Sequence, residues 1–237
     1  MRTLTLTAAL LTCTLANAAQ PVCRAHSAST APTVVELYTS EGCSSCPPAD
    51  QWLSTLKNKP GVLALAFHVN YWDRLGWPDR FASAESTARQ RDLARQAGST
   101  QVYTPQVVVD GRDWRAWPKL PGAALVSPVA LTLTREGDQV RADVVAGPQS
   151  PSRLSGYWAV VEDGHNSQVR AGENAGSTLR HDHVVRLYKP VPAWASAQGN
   201  SAQLNVSRGE PAFPRRVVFV VTDAASAKPL QAVALAC

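Results

Sequence analysis

TSEGCSSCPPAD, residues 39–50, is the stretch on which the reading of the chain turns. Cys43 and Cys46 stand two residues apart, shortly after the apolar run APTVVELY. Three chemistries use this spacing: thiol–disulfide exchange, half of a metal site, and a static bridge. Which one applies depends on the redox compartment, and the N-terminus speaks to that.

The chain opens MRTLTLTAALLTCTLANAAQ, with one positive charge at Arg2, an apolar stretch from Leu4 to Leu15, and Ala16-Asn17-Ala18 as an A-x-A cleavage signal. This is the anatomy of a secretory signal peptide, expected over residues 1–19, and it is too short for a membrane span. Cys13 leaves with it. Of five cysteines, Cys23, Cys43, Cys46 and Cys237 remain. An even number in a periplasmic or secreted protein permits two disulfides. Cys43 and Cys46 form one close pair, so Cys23 and Cys237 are expected to form the structural one.

The chain has 237 residues and a formal net charge of +5. Its charges are mixed: the arginines from Arg74 to Arg95 alternate with Asp79, Glu85 and Asp92. A nucleic-acid surface would need clustering, and none is present. No other apolar stretch is long enough to span a membrane. Neither nucleic acid nor a membrane span is expected; the cysteine pair points instead to protein thiols or disulfides as partners, met by a monomer that needs no cofactor.

Outward from the cysteines the pattern alternates. VVELYTS is β-branched and aromatic, a strand; PADQWLSTLKN spaces Trp52, Leu53 and Leu56 for one helix face. VLALAFHV is an unbroken apolar strand, SAESTARQRDLARQAG a helix with Ser83 as N-cap and Gly98 beyond its end, and QVVV a strand entering the turn at Asp110-Gly111. Such alternation implies an α/β layer with a parallel core over residues 20–125. After the proline-rich WPKLPGAALVSP helical periodicity stops. VALTLT-REGD-QVRADVV is a hairpin, and YWAVVEDG, HVVRLY, AQLNV, RRVVFVVTD and QAVALAC continue as strands, which implies a small all-β sandwich-like domain over 126–237.

Disulfide exchange needs a thiolate and a second thiol close by. A helix N-terminus supplies both, because its free N–H groups stabilise the anion and the second cysteine lies within a turn. Loops after parallel strands meet at one edge of a sheet, so His68-Val69-Asn70-Tyr71-Trp72-Asp73 should approach Cys43, and Thr104-Pro105 precedes the third strand.

The order of C-x-x-C, then T-P before a strand and Asp-Gly, resembles the thioredoxin and glutaredoxin superfamily. ELYTSEGCSSCPPAD, FHVNYWDRLGWPD, ARQ, YTPQVVVDG and GENAGSTLRHDHVV together resemble a secreted bacterial thioredoxin-like family catalogued as a domain of unknown function. The resemblance runs from about Val34 to the C-terminus. It implies an α/β thioredoxin-like domain, a cis Thr104–Pro105 bond facing the cysteines, and Glu36 as a buried acid that takes a proton from Cys46. Pro47 and Pro48 depart from the thioredoxin pattern, which has its proline between the cysteines. A residue before proline is driven from helical angles, so the pose of Cys46 is the point at issue.

On this reading Cys43 attacks, Cys46 resolves, and Thr104, Pro105 and Glu36 complete the catalytic set. A different class of function is a copper(I)-handling protein using Cys43, Cys46 and His68, since soft thiolates favour that ion. A third is a redox-inert binding module. Tyr71, Trp72, Trp77 and Phe81 could grip a peptide or pack over the sheet edge. His181-Asp182-His183 places two imidazoles on one face of a strand as a metal candidate lacking a third ligand. Asn205-Val206-Ser207 matches a glycosylation triplet.

Overall fold

The computed structural model describes residues 22–122 and 125–237. The signal peptide expected over residues 1–19, with Cys13, lies outside them.

The elements are β1 (Cys23–His26), β2 (Thr33–Thr39), α1 (Pro47–Ser54), β3 (Val62–His68), α2 (Ala84–Gln96), β4 (Gln106–Val109) and β5 (Arg112–Asp113). They continue with β6 (Val129–Glu136), β7 (Gln139–Ala146), β8 (Arg153–Glu162), β9 (His165–Gln168), β10 (Thr178–His181), β11 (Val184–Ala195), β12 (Asn200–Asn205), β13 (Arg215–Asp223) and β14 (Pro229–Leu235).

Local chemistry explains the first elements. In β2, every residue after Thr33 is buried, as an apolar strand covered on both faces should be. α1 starts with Pro47 and Pro48, where missing N–H groups cost nothing because a first helical turn has no partner for them. Cys46 nonetheless holds helical angles, φ −78° and ψ −36°. α2 begins where the Ser83 hydroxyl accepts from the Ser86 N–H at 3.0 Å. Asp110 and Gly111, at φ +48° and +80°, make the tight turn between β4 and β5. Positive φ at both centres is what a two-residue hairpin requires.

The sheets overturn the expected α/β thioredoxin-like domain followed by a small all-β sandwich-like domain. Among the described residues there are only two α-helices, and strands dominate. One eight-stranded sheet runs β14-β13-β8-β11-β3-β2-β4-β5, through strands on both sides of residue 125. The join is at Val184 of β11, which pairs in parallel with Ala66 of β3, and the Ala66 N–H donates to the His183 carbonyl at 2.7 Å. The parallel core is also smaller than expected: β2 runs parallel to β3 but antiparallel to β4. The physical reason is that β3, with both faces apolar, takes a second neighbour from the later half of the chain.

A four-stranded sheet, β1-β6-β7-β12, covers the other end. Leu131, Leu133, Val140 and Val144 from it close over Trp158, Phe219, Val221 and Leu235. On the α2 side, Tyr38, Phe67 and Val108 share one core with Tyr157, Val185 and Val218. On the opposite face, Val35 and Leu37 pack against Ala49, Leu53 and Leu56 of α1 and its C-terminal turn. β9 and β10 stand apart as a two-stranded ribbon.

Candidate functional site

Cys43 and Cys46 are joined by a disulfide with Cα atoms 5.5 Å apart. Cys23 and Cys237 form the second, 214 residues apart in sequence. The Cys43–Cys46 loop leaves β2 and enters α1, with Cys46 as its N-cap. Ser44 and Ser45 are exposed while both cysteines are fully buried.

Two neighbours fit against this loop. A Cβ on Gly42 would meet the Trp72 Cβ at 3.2 Å, so the glycine lets the loop after β3 approach closely. The Trp72 indole N–H in turn donates to the Thr104 hydroxyl at 2.7 Å. Trp72 thereby links the cysteine loop to Thr104-Pro105, whose peptide bond is cis. Gln90 of α2 holds the same segment by donating to the Tyr103 carbonyl and the Gln106 side chain, each at 2.8 Å.

The third neighbour comes from far along the chain. The turn between β9 and β10 brings Asn174 over the loop, where its Nδ2 donates to the carbonyls of Glu41 at 2.8 Å and Cys43 at 2.9 Å. Next to it, the backbone N–H and hydroxyl of Ser44 donate to Glu173 at 3.0 and 2.8 Å. These hydrogen bonds keep the exposed Glu173 carboxyl below its ordinary pKa.

The same ribbon completes a buried polar cluster. His68, at the end of β3, bonds through Nδ1 to Asp79 Oδ2 at 2.6 Å. Asp79 also accepts from the backbone N–H groups of Glu41 and Phe81, both at 2.9 Å. Burial works against the Asp79 carboxylate, but His68 and these N–H groups prevail and bring its pKa down to about 2. Burial likewise opposes a charged His68, and Asp79 outweighs it, so that pKa is raised. Asp50 projects from the first turn of α1 and accepts from the Thr39 hydroxyl at 2.9 Å. Its pKa is raised, chiefly by burial. His181, the last residue of β10, stacks edge-on to His68 with ring centroids 5.0 Å apart. Its Nε2 lies 3.2 Å from Glu41 Oε1. Trp77 donates to the other Glu41 oxygen at 2.8 Å.

The residues singled out from the sequence divide into two groups. Trp72 ties the loop of Cys43 and Cys46 to Thr104, the residue before Pro105, and His68 is linked to the same loop through Asp79 and the Glu41 N–H. Glu36 does not join them. It occupies the face of β2 opposite α1, where it accepts from Tyr38 and Tyr157, each at 2.7 Å, and from Arg89 through two nitrogens. Burial raises the Glu36 pKa, but Arg89 and the two phenols outweigh it and leave it lowered. Tyr71, Trp72, Trp77 and Phe81 hold loops and rings in place rather than forming an open aromatic surface.

The expected pairing of His181 with His183 on one strand face is also corrected. The strand breaks between them, and His183 takes φ +60°. His181 then turns to His68, while His183 meets Arg216 at 3.1 Å. Burial, with Arg216 beside it, pushes the His183 pKa down to about 4. Asp50, Asn174 and Glu173 carried no signal in the sequence, because an aspartate in a first helical turn and a loop 130 residues away are ordinary by themselves.

A family model described as "Protein of unknown function" matches residues 34–222. A crystal structure of an Agrobacterium tumefaciens protein is similar over 88% of this chain and 96% of that chain, with 26% identity and a TM-score of 0.66. The structure of HBP35 of Porphyromonas gingivalis is similar over 88% of this chain and 76% of that chain, at 15% identity and a TM-score of 0.57, a likeness of fold alone. No curated protein matches the chain.

Proposed function

The chain belongs to the family described as Protein of unknown function (DUF1223), and from its site we propose thiol–disulfide exchange with protein thiols in an exported compartment. The observation that carries this reading is the Cys43–Cys46 bridge at the head of α1, with Trp72 tying its loop to Thr104-Pro105. In the reduced form, the Cys43 thiolate attacks a substrate disulfide and one substrate thiolate leaves. The Cys46 thiolate then attacks the Cys43 sulfur, regenerating the bridge and releasing the second substrate thiol. The reverse sequence oxidises a substrate dithiol, and direction follows the potential of the couple relative to its partner. The positive end of the α1 dipole favours a thiolate there, without N–H donors from Pro47 and Pro48.

The second bridge, between Cys23 and Cys237, supports the oxidising location, because such bonds persist outside the cytosol. The exchange itself needs no cofactor, and one protomer holds every group named.

The test is capture. Cys46→Ser should accumulate mixed disulfides with exported proteins, separable on non-reducing gels, while Cys43→Ser should accumulate few. Equal capture by both variants, or none by either, rules the reading out.

A further inference from the structure

We propose a divalent transition-metal site of the zinc class, built from Asp50, His68 and His181. One donor atom from each of the three buried residues lies within 4.8 Å of the others. Zinc bonds of about 2.0–2.1 Å place tetrahedral donors roughly 3.4 Å apart. The side chains therefore need to draw together by about 1 Å to enclose an ion.

The independent evidence is what the imidazoles lack. His68 Nε2 and His181 Nδ1 are buried without a hydrogen-bond partner among the described residues, and His181 Nε2 has only Glu41 Oε1, at 3.2 Å. An unpartnered buried polar atom is costly and calls for a water or an ion. An unpartnered nitrogen on each imidazole, beside one buried carboxylate, is better explained by a ligand than by chance.

The surroundings suit a metal. Asp79 accepts from His68 Nδ1, which fixes the tautomer that leaves Nε2 free to coordinate, as a carboxylate–histidine–metal relay does. The ion would replace the proton that Asp79 otherwise favours on His68. Thr39 orients Asp50, and Glu41 Oε1 lies 3.2 Å from His181 Nε2. Two histidines and one carboxylate leave a position open, the ligand count of a zinc centre that takes up water or substrate. A cavity of about 330 Å³ between α1 and β10, lined by Pro47, Asp50, Gln51 and His181 among others, reaches two of the three ligands.

This site uses neither cysteine sulfur, so it stands or falls apart from thiol exchange. The experiment titrates the signal-free protein, its disulfides intact, with Zn²⁺ by calorimetry and with Co²⁺ by visible absorption. The expected result is one ion per chain and Co²⁺ bands of a nitrogen–oxygen site. His181→Gln and Asp50→Asn should each weaken Zn²⁺ binding at least 100-fold, while His26→Gln, exposed at the end of β1, should not. Cys43→Ser/Cys46→Ser should bind as the wild type does. If the ligand variants fold poorly, the wild-type melting temperature decides: it should rise with Zn²⁺ and return on chelation. No stoichiometric binding by the wild type overturns the site, as does binding that survives His181→Gln or disappears with the cysteines.

Discussion

Replacing Asn174 with alanine should expose the Cys43–Cys46 bridge to reductant. Both cysteines are fully buried, so attack by a thiol in solution requires an opening, and lifting of the turn between β9 and β10, which is bonded across their loop, is taken as that opening. Asn174, itself buried, contributes two neutral hydrogen bonds to that closure, to the carbonyls of Glu41 and Cys43. A net value of about 1 kcal/mol for each gives about 2 kcal/mol. At 1.4 kcal/mol per decade this is a roughly 30-fold increase in the open population. The Cys43 carbonyl keeps the Cys46 N–H as a second donor at 3.2 Å, which limits the penalty in the closed variant. When closing outpaces attack, the reduction rate follows the open population. Dithiothreitol reduction, quenched by alkylation and followed by mass spectrometry, should therefore run 10- to 50-fold faster in Asn174→Ala, with Ser201→Ala on the distant β12 as control. A rate within twofold of wild type refutes the role of this turn. So does a faster rate matched by equal loss of global stability in urea.

Glu36→Gln should destabilise the protein by about 3 kcal/mol near neutral pH, since it leaves Arg89 buried without its counter-charge. Because the folded-state pKa of Glu36 is depressed, its stabilisation is present above the ordinary carboxylate range and disappears as pH falls through the folded value. The wild-type and variant stability curves should accordingly converge in acid; curves that stay parallel contradict the ion-pair account. Gly156→Ala, in β8, should cost about 1–3 kcal/mol by overpacking, because a Cβ there meets the Val220 carbonyl at 2.8 Å and the Phe219 ring at 3.0 Å. A chemical denaturation midpoint unchanged from wild type would dispose of that close contact.

The elements nearest the cysteines were legible because each rests on local chemistry. Ser83 and Gly98 bracket α2, Asp110-Gly111 makes its turn, and VALTLT and QVRADVV pair as β6 and β7. Strand partnership was not legible. An apolar run such as VVRLY satisfies a sandwich or a larger sheet equally well, and only the assembled fold shows Val184 beside Ala66. The site divides the same way. The Cys43–Cys46 spacing announces itself, whereas His181 depends on a backbone reversal at His183 that alternation along a strand cannot anticipate. Glu36 was misread for a related reason: one residue of phase along β2 decides whether a carboxylate faces α1 or α2.

The Cys23–Cys237 bridge changes what a break in the chain means. With Cys23 and Cys237 joined through sulfur, the polypeptide between them is a closed ring, and a single cleavage within it releases no piece. A nick in the proline-rich stretch at residues 117–128 would yield, in effect, a circular permutant. Its new termini would lie at the cut, while Cys237 runs on through sulfur into Cys23. Such a molecule migrates as one species until reductant separates it into two. Once separated, the fragment carrying β3 presents an unpaired strand flank where β11 had been, an open template for association with other chains.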